Sequence, residues 1–182
     1  MLRVIGFDDA PFARDDEDVS VAGVVCAETR FEGMVWGTVT RDGWDATDVL
    51  ADLLVGSKYA RQVRVVLIDG IAVGGLNVID LPELAKRVGV PCVAVMRKHP
   101  DMEAMTRAIE RLPSPDRRLE LIARAGPIHD RPPFVFQVAG LDPDATHDML
   151  VRSTDTGHVP EALRIAHMIG SAVIDGESRG RA

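Results

Sequence analysis

Two short stretches constrain this chain more than anything else in it: VRVVLID at residues 63–69 and VPCVAVM at 90–96. Each is a nearly continuous apolar run, rich in β-branched residues and too short for a buried helix. That is the pattern of a strand covered on both faces. Between them, DLPELAKRVG places Pro82 in a first helical turn and Gly89 at a helix end. A buried strand, a helix and a second buried strand form a parallel crossover unit, which commits the chain to an α/β architecture.

The remaining elements extend that unit. Residues 2–8 read as a strand, ARDDEDV as a polar turn, VSVAGVVCAET as a second strand and FEGMVWGTVT as a third. Short polar turns between them predict an antiparallel meander. In DATDVLADLLVGSKY the period changes: Ala46, Val49, Leu50, Leu53 and Leu54 fall on one helical face. Asp45 stands where an N-cap belongs and Gly56 where the helix stops. GIAVGGLNV reads as a glycine-rich loop. From Pro100 onward, DMEAMTRAIERL and SPDRRLELIARAG read as helices and HDRPPFVFQVAG as a late β segment. DPDATHDMLVRS and VPEALRIAHMIGSAVIDG read as closing helices, with a small polar tail, GESRGRA. The sum is one α/β domain over residues 1–182. Its mixed sheet joins three antiparallel strands to parallel crossovers and is flanked by helices. With 46% hydrophobic residues, 182 positions suffice for a substantial core.

Charge and cysteine usage narrow the function classes. A net charge of −7 argues against a protein that coats nucleic acid non-specifically, which is usually basic. It leaves room for a nuclease, whose metal-binding carboxylates make the site acidic. Any grip on phosphate is then local, and Arg61 with Arg64, Arg97 with Lys98, and Arg117 with Arg118 are the paired cations available. The two cysteines, Cys26 and Cys92, both sit in apolar runs, so neither a disulfide framework nor a metal knuckle is expected. That favours a reducing, cytoplasmic setting. No signal peptide is expected, and no apolar run approaches the ~20 residues of a membrane span.

Three acidic positions fall at the ends of elements. Asp8, with Asp9, closes the first strand; Asp69 closes the fourth; Asp45, with Asp42 before it, opens the first helix. In doubly wound sheets chemistry gathers where buried strands end. If strands one and four are neighbours, Asp8 and Asp69 emerge side by side. Like charges that close repel unless a cation sits between them, and oxygen donors suit Mg²⁺ or Mn²⁺. Each acid also has a plainer role: Asp8–Asp9 as a turn before Ala-Pro, Asp45 as a helix cap, Asp69-Gly70 as a turn.

The stretches GFDDAPF, DGWDAT, LIDGIAVGGLNVIDL, VPCVAVMRKHP and PEALRIAHMIGSAVIDGESRGRA together resemble the family catalogued as domain of unknown function ninety-nine, a relative of endonuclease V. The resemblance runs over nearly the whole chain and implies a ribonuclease H-like fold with a metal-dependent nuclease core. It carries Asp8, in Gly6-Phe7-Asp8, and Asp69, before Gly70, over as metal ligands. It places Arg97, beside Lys98, where endonuclease V has a lysine. It matches Gly157-His158 to a Gly-His ahead of the last helix. The glutamate that endonuclease V carries before its first helix is absent, with Asp45 as substitute in a third ligand or water-orienting role. The aromatic, proline-rich wedge used at a damaged base is also absent, and Trp44 is the large aromatic in that region, for stacking on a base or for packing. Gly74-Gly75 either makes a tight turn or lets a sugar–phosphate backbone approach. What the resemblance implies is a Mg²⁺- or Mn²⁺-dependent endonuclease on damaged or deaminated nucleic acid. DNA rather than RNA is the expected partner, deoxyuridine the substrate guess. The alternatives are a nucleic-acid or nucleotide-binding protein with a degenerate site, and a metal phosphohydrolase on small nucleotides.

Overall fold

The computed structural model describes residues 1–179; the last three residues of the tail GESRGRA lie outside the described residues. The first three strands, β1 (Arg3–Asp9), β2 (Asp18–Ala27) and β3 (Arg30–Thr40), form the predicted antiparallel meander. After helix α1 (Ala46–Val55) come β4 (Val65–Asp69), a small hairpin of β5 (Ala72–Val73) and β6 (Asn77–Val78), helix α2 (Leu81–Val88) and β7 (Cys92–Met96). Helices α3 (Met102–Ile109) and α4 (Pro115–Arg124) follow, then β8 (His129–Arg131), β9 (Phe134–Ala139), α5 (Pro143–Arg152) and α6 (Glu161–Asp175).

Seven of these strands make one sheet in the order β3-β2-β1-β4-β7-β9-β8. The two apolar runs behave as expected: β4 lies parallel to β1 on one side and to β7 on the other. The late β segment resolves into two antiparallel strands, with β9 against β7 and β8 at the edge. The glycine-rich stretch is not all loop, since Ala72–Val73 pairs with Asn77–Val78.

The sheet separates two cores. Ile5, Phe7, Val66, Ile68 and Ala94 point into one, under α1, α2, α3 and α4. Val4, Leu67, Val93, Val95 and Phe136 point into the other, under α5 and α6. The strand period of two therefore assigns every site residue to a layer. On β1, Val4, Gly6 and Asp8 share the α6 side; on β4, Val65, Leu67 and Asp69 do; on β7, Val93 and Val95 do, with Arg97 next in the series.

Helix α6 lies almost directly on the β1 backbone. A Cβ placed on Gly6 would come within 2.8 Å of the Ala162 carbonyl carbon and the Leu163 nitrogen. Eight residues further along the helix, a Cβ on Gly170 would come within 3.0 Å of the Ala10 Cα. The two glycines seat the helix at both ends of its contact with the strand. Gly6→Ala has backbone rather than a flexible side chain to displace, so it is expected to cost about 1–3 kcal/mol. Val173→Ala, at an exposed position of the same helix, is expected to stay within about 0.5 kcal/mol. Urea denaturation of both variants measures the difference.

Candidate active site

The strand register decides which acids meet. In the parallel ladder Phe7 pairs with Ile68, so the next residue on each strand, Asp8 and Asp69, stands at neighbouring positions at the end of the sheet. Gly70 N–H donates to Val95 O at 2.8 Å and ties the end of β4 to β7, from which Arg97 emerges. Arg97 Nη2 donates to Asp69 Oδ2 at 3.0 Å. From above, His167 on α6 brings Nδ1 within 3.0 Å of Asp8 Oδ2. When Asp8 is ionised, Nδ1–H is the donor in that bond. Asp8, Asp9, Asp69, Arg97, His167 and Phe12 all line one cleft of about 550 Å³.

The charges in this cleft do not balance. Asp8 is buried, 6% exposed. Burial, with the neighbouring carboxylates Asp69 and Asp9, pushes its pKa from 3.8 up to about 8, against the opposing pull of Arg97. Asp9 is also raised, by burial first and by Asp69, although its Oδ2 accepts the Gly74 N–H at 2.7 Å. The Asp69 hydrogen bond and the two carboxylates raise Arg97. The half-exposed Arg97 guanidinium therefore faces three acids, while Arg179, the other arginine of the lining, is paired with Asp175.

That surplus is the test of whether a divalent ion fits. Asp8 and Asp69 offer hard oxygen donors side by side, in a place where burial penalises their joint ionisation, and a 2+ ion removes that penalty. Among the described residues, however, no three His, Cys, Asp or Glu side chains are gathered as a ready metal-holding group. What fits is the pair Asp8 and Asp69, with Arg97 holding one oxygen of Asp69.

The third expected ligand is not here. Asp45 does not line the cleft. Its Oδ1 accepts Thr40 N–H at 3.1 Å and Asn77 Nδ2–H at 2.7 Å, and its Oδ2 accepts the Thr40 hydroxyl at 2.9 Å. Burial alone would raise its pKa, but these bonds hold it below the usual carboxylate range. Nor does its side chain cap α1, although it occupies the N-cap position. The Ala46 N–H goes instead to Asn77 Oδ1 at 3.1 Å. Asp45 is a brace between β3, α1 and β6.

The other sequence-derived positions are scattered. Trp44 lies under the guanidinium carbons of Arg117 and Arg118, 4.4 and 4.1 Å from its ring centre, away from the cleft. Arg118 is no phosphate grip either. It is 1% exposed and donates to the carbonyls of Pro113, Gly43, Leu76 and Asp42. Gly74 and Gly75 form the β5–β6 turn with φ of 60° and 79°, and Gly74 reaches the cleft only through its bond to Asp9. Lys98 and His158 are exposed and do not line the cleft. The histidine that does is His167, which the sequence reading passed over. Its signal was the helical spacing Leu163, His167, Ser171, which puts it on the face turned to β1.

Comparison with known proteins places this arrangement. The sequence profile of the family described as "Endonuclease dU" matches residues 1–174. The chain belongs to the endonuclease dU family. A UPF0215 protein of Methanothermobacter thermautotrophicus is 43% identical to it over 187 residues, which cover 100% of this chain and 92% of that relative. The crystal structure of a protein of unknown function from Archaeoglobus fulgidus is similar at a TM-score of 0.89 and 33% identity, covering 96% of this chain and 99% of that one. Endonuclease V of Ciona intestinalis, solved with a 24mer DNA containing an inosine followed by a ribo-adenosine, matches at a TM-score of 0.57 and 16% identity, over 91% and 82% of the two chains. That likeness gives this endonuclease dU family member the ribonuclease H-like fold of endonuclease V.

Two outcomes test this geometry. Because the folded pKa of Asp8 lies above its unfolded value, its contribution to stability is full below about pH 4 and is lost as pH rises through about 8. Asp8→Asn is therefore expected to gain stability over wild type as metal-free protein is taken from pH 5 to pH 9, read by urea denaturation in chelator. Asp45→Ala strands the Thr40 and Asn77 donors and is expected to cost about 1–3 kcal/mol in the same assay.

Proposed function

We propose that the protein is a divalent-metal-dependent endonuclease, hydrolysing a phosphodiester in damaged or deaminated nucleic acid. The observation that carries this reading is the register of β1 against β4. It sets Asp8 and Asp69 at adjacent strand ends in a charge-surplus cleft. Family membership supports it, as does the fold shared with an endonuclease V that was solved on inosine-containing DNA. Deoxyuridine in DNA is the substrate that the family description suggests.

Asp8 and Asp69 would hold Mg²⁺ or Mn²⁺. Such an ion, when bound, lowers the pKa of water and offsets charge on the phosphate oxygens. Arg97, already anchored on Asp69, is positioned to hold a non-bridging phosphate oxygen, a task that suits its fixed fork of donors. His167 holds Asp8 Oδ2 and so orients the carboxylate at the cleft. Asp9 is tied to Gly74 and sets the end of β1 against the β5–β6 turn. Hydrolysis adds one water across a P–O bond and leaves a phosphate on one fragment and a hydroxyl on the other.

A second reading, a nucleic-acid-binding protein without catalysis, draws on the Arg97–Asp69 ion pair, which competes with a cation for Asp69. Calorimetry with Mn²⁺ separates the two. The endonuclease takes up the ion and loses that uptake in Asp8→Asn; the binder takes up none, with or without an oligonucleotide.

The decisive assay incubates pure protein with oligonucleotides carrying uracil, hypoxanthine or no lesion, in Mg²⁺, Mn²⁺ or chelator. Cleavage in metal alone is expected. Asp69→Ala is expected to lower its rate by about 10²–10³-fold, the scale of losing one preorganised electrostatic element. Undiminished cleavage in Asp69→Ala would overturn the mechanism.

A further inference from the structure

The acids account for the floor of the cleft but not for its rim. Phe12 stands there, 38% exposed, and belongs to neither core. Phe7, Phe134 and Phe136, by contrast, are fully buried. The segment that carries Phe12 is fixed on both sides. Ahead of it, Ala10 N–H donates to Ser20 O at 2.8 Å, and Gly170 of α6 sits against the Ala10 Cα. Behind it, Ala13 N–H donates to Asp16 Oδ2 at 2.7 Å. Pro11 sits between these anchors and restricts the backbone further. An exposed aromatic ring is thus held on a preorganised segment, four residues from Asp8. Arg179, whose Nε donates to Asp175 Oδ2 at 2.8 Å, lines the same cleft. A flanking groove is formed by Phe12, Arg179, Asp175 and their neighbours. Trp44, the aromatic the sequence had suggested, already carries two guanidinium groups on its ring.

We propose that Phe12 is the base-stacking platform of this site. One base of a single-stranded or flipped nucleotide lies on its ring, Arg179 meets the adjoining phosphate, and Asp8 with Asp69 faces the neighbouring phosphodiester. This rests on the nucleic-acid reading above and adds the residue that holds a base. Because every base has a π-face, such a platform retains nucleotides without selecting among them. Choice of base then lies with other groups.

The test measures binding, with Ca²⁺ as the only divalent ion so that affinity is read apart from cleavage. A fluorescent single-stranded thymidine oligomer is compared with an abasic deoxyribose-phosphate chain of equal length. Wild type is expected to prefer the thymidine oligomer. Phe12→Ala is expected to weaken thymidine binding about ten-fold, the size of a lost aromatic–base stack, while binding the abasic chain like wild type. Phe12→Trp is expected to keep the preference. Arg179→Gln is expected to weaken both chains alike, as loss of a phosphate contact does. Phe12→Ala with wild-type affinity for thymidine, or with equal losses on both chains, overturns the proposal. An unchanged melting temperature in Phe12→Ala shows that the fold is intact. If wild type shows the expected preference and Phe12→Ala loses it, but no oligonucleotide is cut in Mg²⁺ or Mn²⁺, the endonuclease reading falls and the platform is borne out. If it cuts while Phe12→Ala binds like wild type, only the platform falls.

Discussion

The seat of α6 on β1 governs the whole site. Gly6 has no side chain, so the helix can approach until its backbone touches the strand. That approach carries His167 to within 3.0 Å of a carboxylate that is 159 residues distant in sequence. It also buries Asp8, and burial is the largest cause of its raised pKa. Had β1 carried alanine at position 6, the helix would have to retreat, and Asp8 would lose both its partner and part of its cover. A packing requirement and an electrostatic one are thus met by the same missing Cβ.

The sheet supplies what the helix cannot, which is the pairing of acids from distant segments. Two strands in parallel register deliver Asp8 and Asp69 to the same edge, and the period of two delivers them to the same face. Asp9, one residue beyond Asp8, goes instead to the Gly74 amide. Adjacent carboxylates on one strand end therefore serve different neighbours.

This logic explains how far the sequence could be followed. The strands and helices were legible because apolar periodicity and cap residues are local signals; β4 and β7 end where their apolar runs end but begin two residues later, and β1 is shifted by one residue. The neighbouring positions of Asp8 and Asp69 were legible as well, since carboxylates at the ends of adjacent strands mark one edge of the sheet. Asp45 was not. Its place at the head of α1 is encoded locally, but the direction of its side chain is set by Thr40 and Asn77, the latter 32 residues away. His167 was hidden for the opposite reason. It lies within an amphipathic helix whose pattern announces packing, and only knowledge of what α6 packs on turns that face into part of a site. The β5–β6 hairpin, two residues per strand, is too short to show a period of its own.

Arg118 has a consequence for the other side of the sheet. Its charge is spread over four backbone carbonyls instead of meeting a carboxylate, and the loops around Asp42, Gly43 and Leu76 close on it. A guanidinium keeps its proton across the whole range in which Asp8 changes state. A change in the protonation of Asp8 therefore leaves the charge of Arg118 untouched. The clasp around Arg118 keeps the same charge and the same four carbonyl partners, so the loops it closes are held by a group that does not titrate with the cleft.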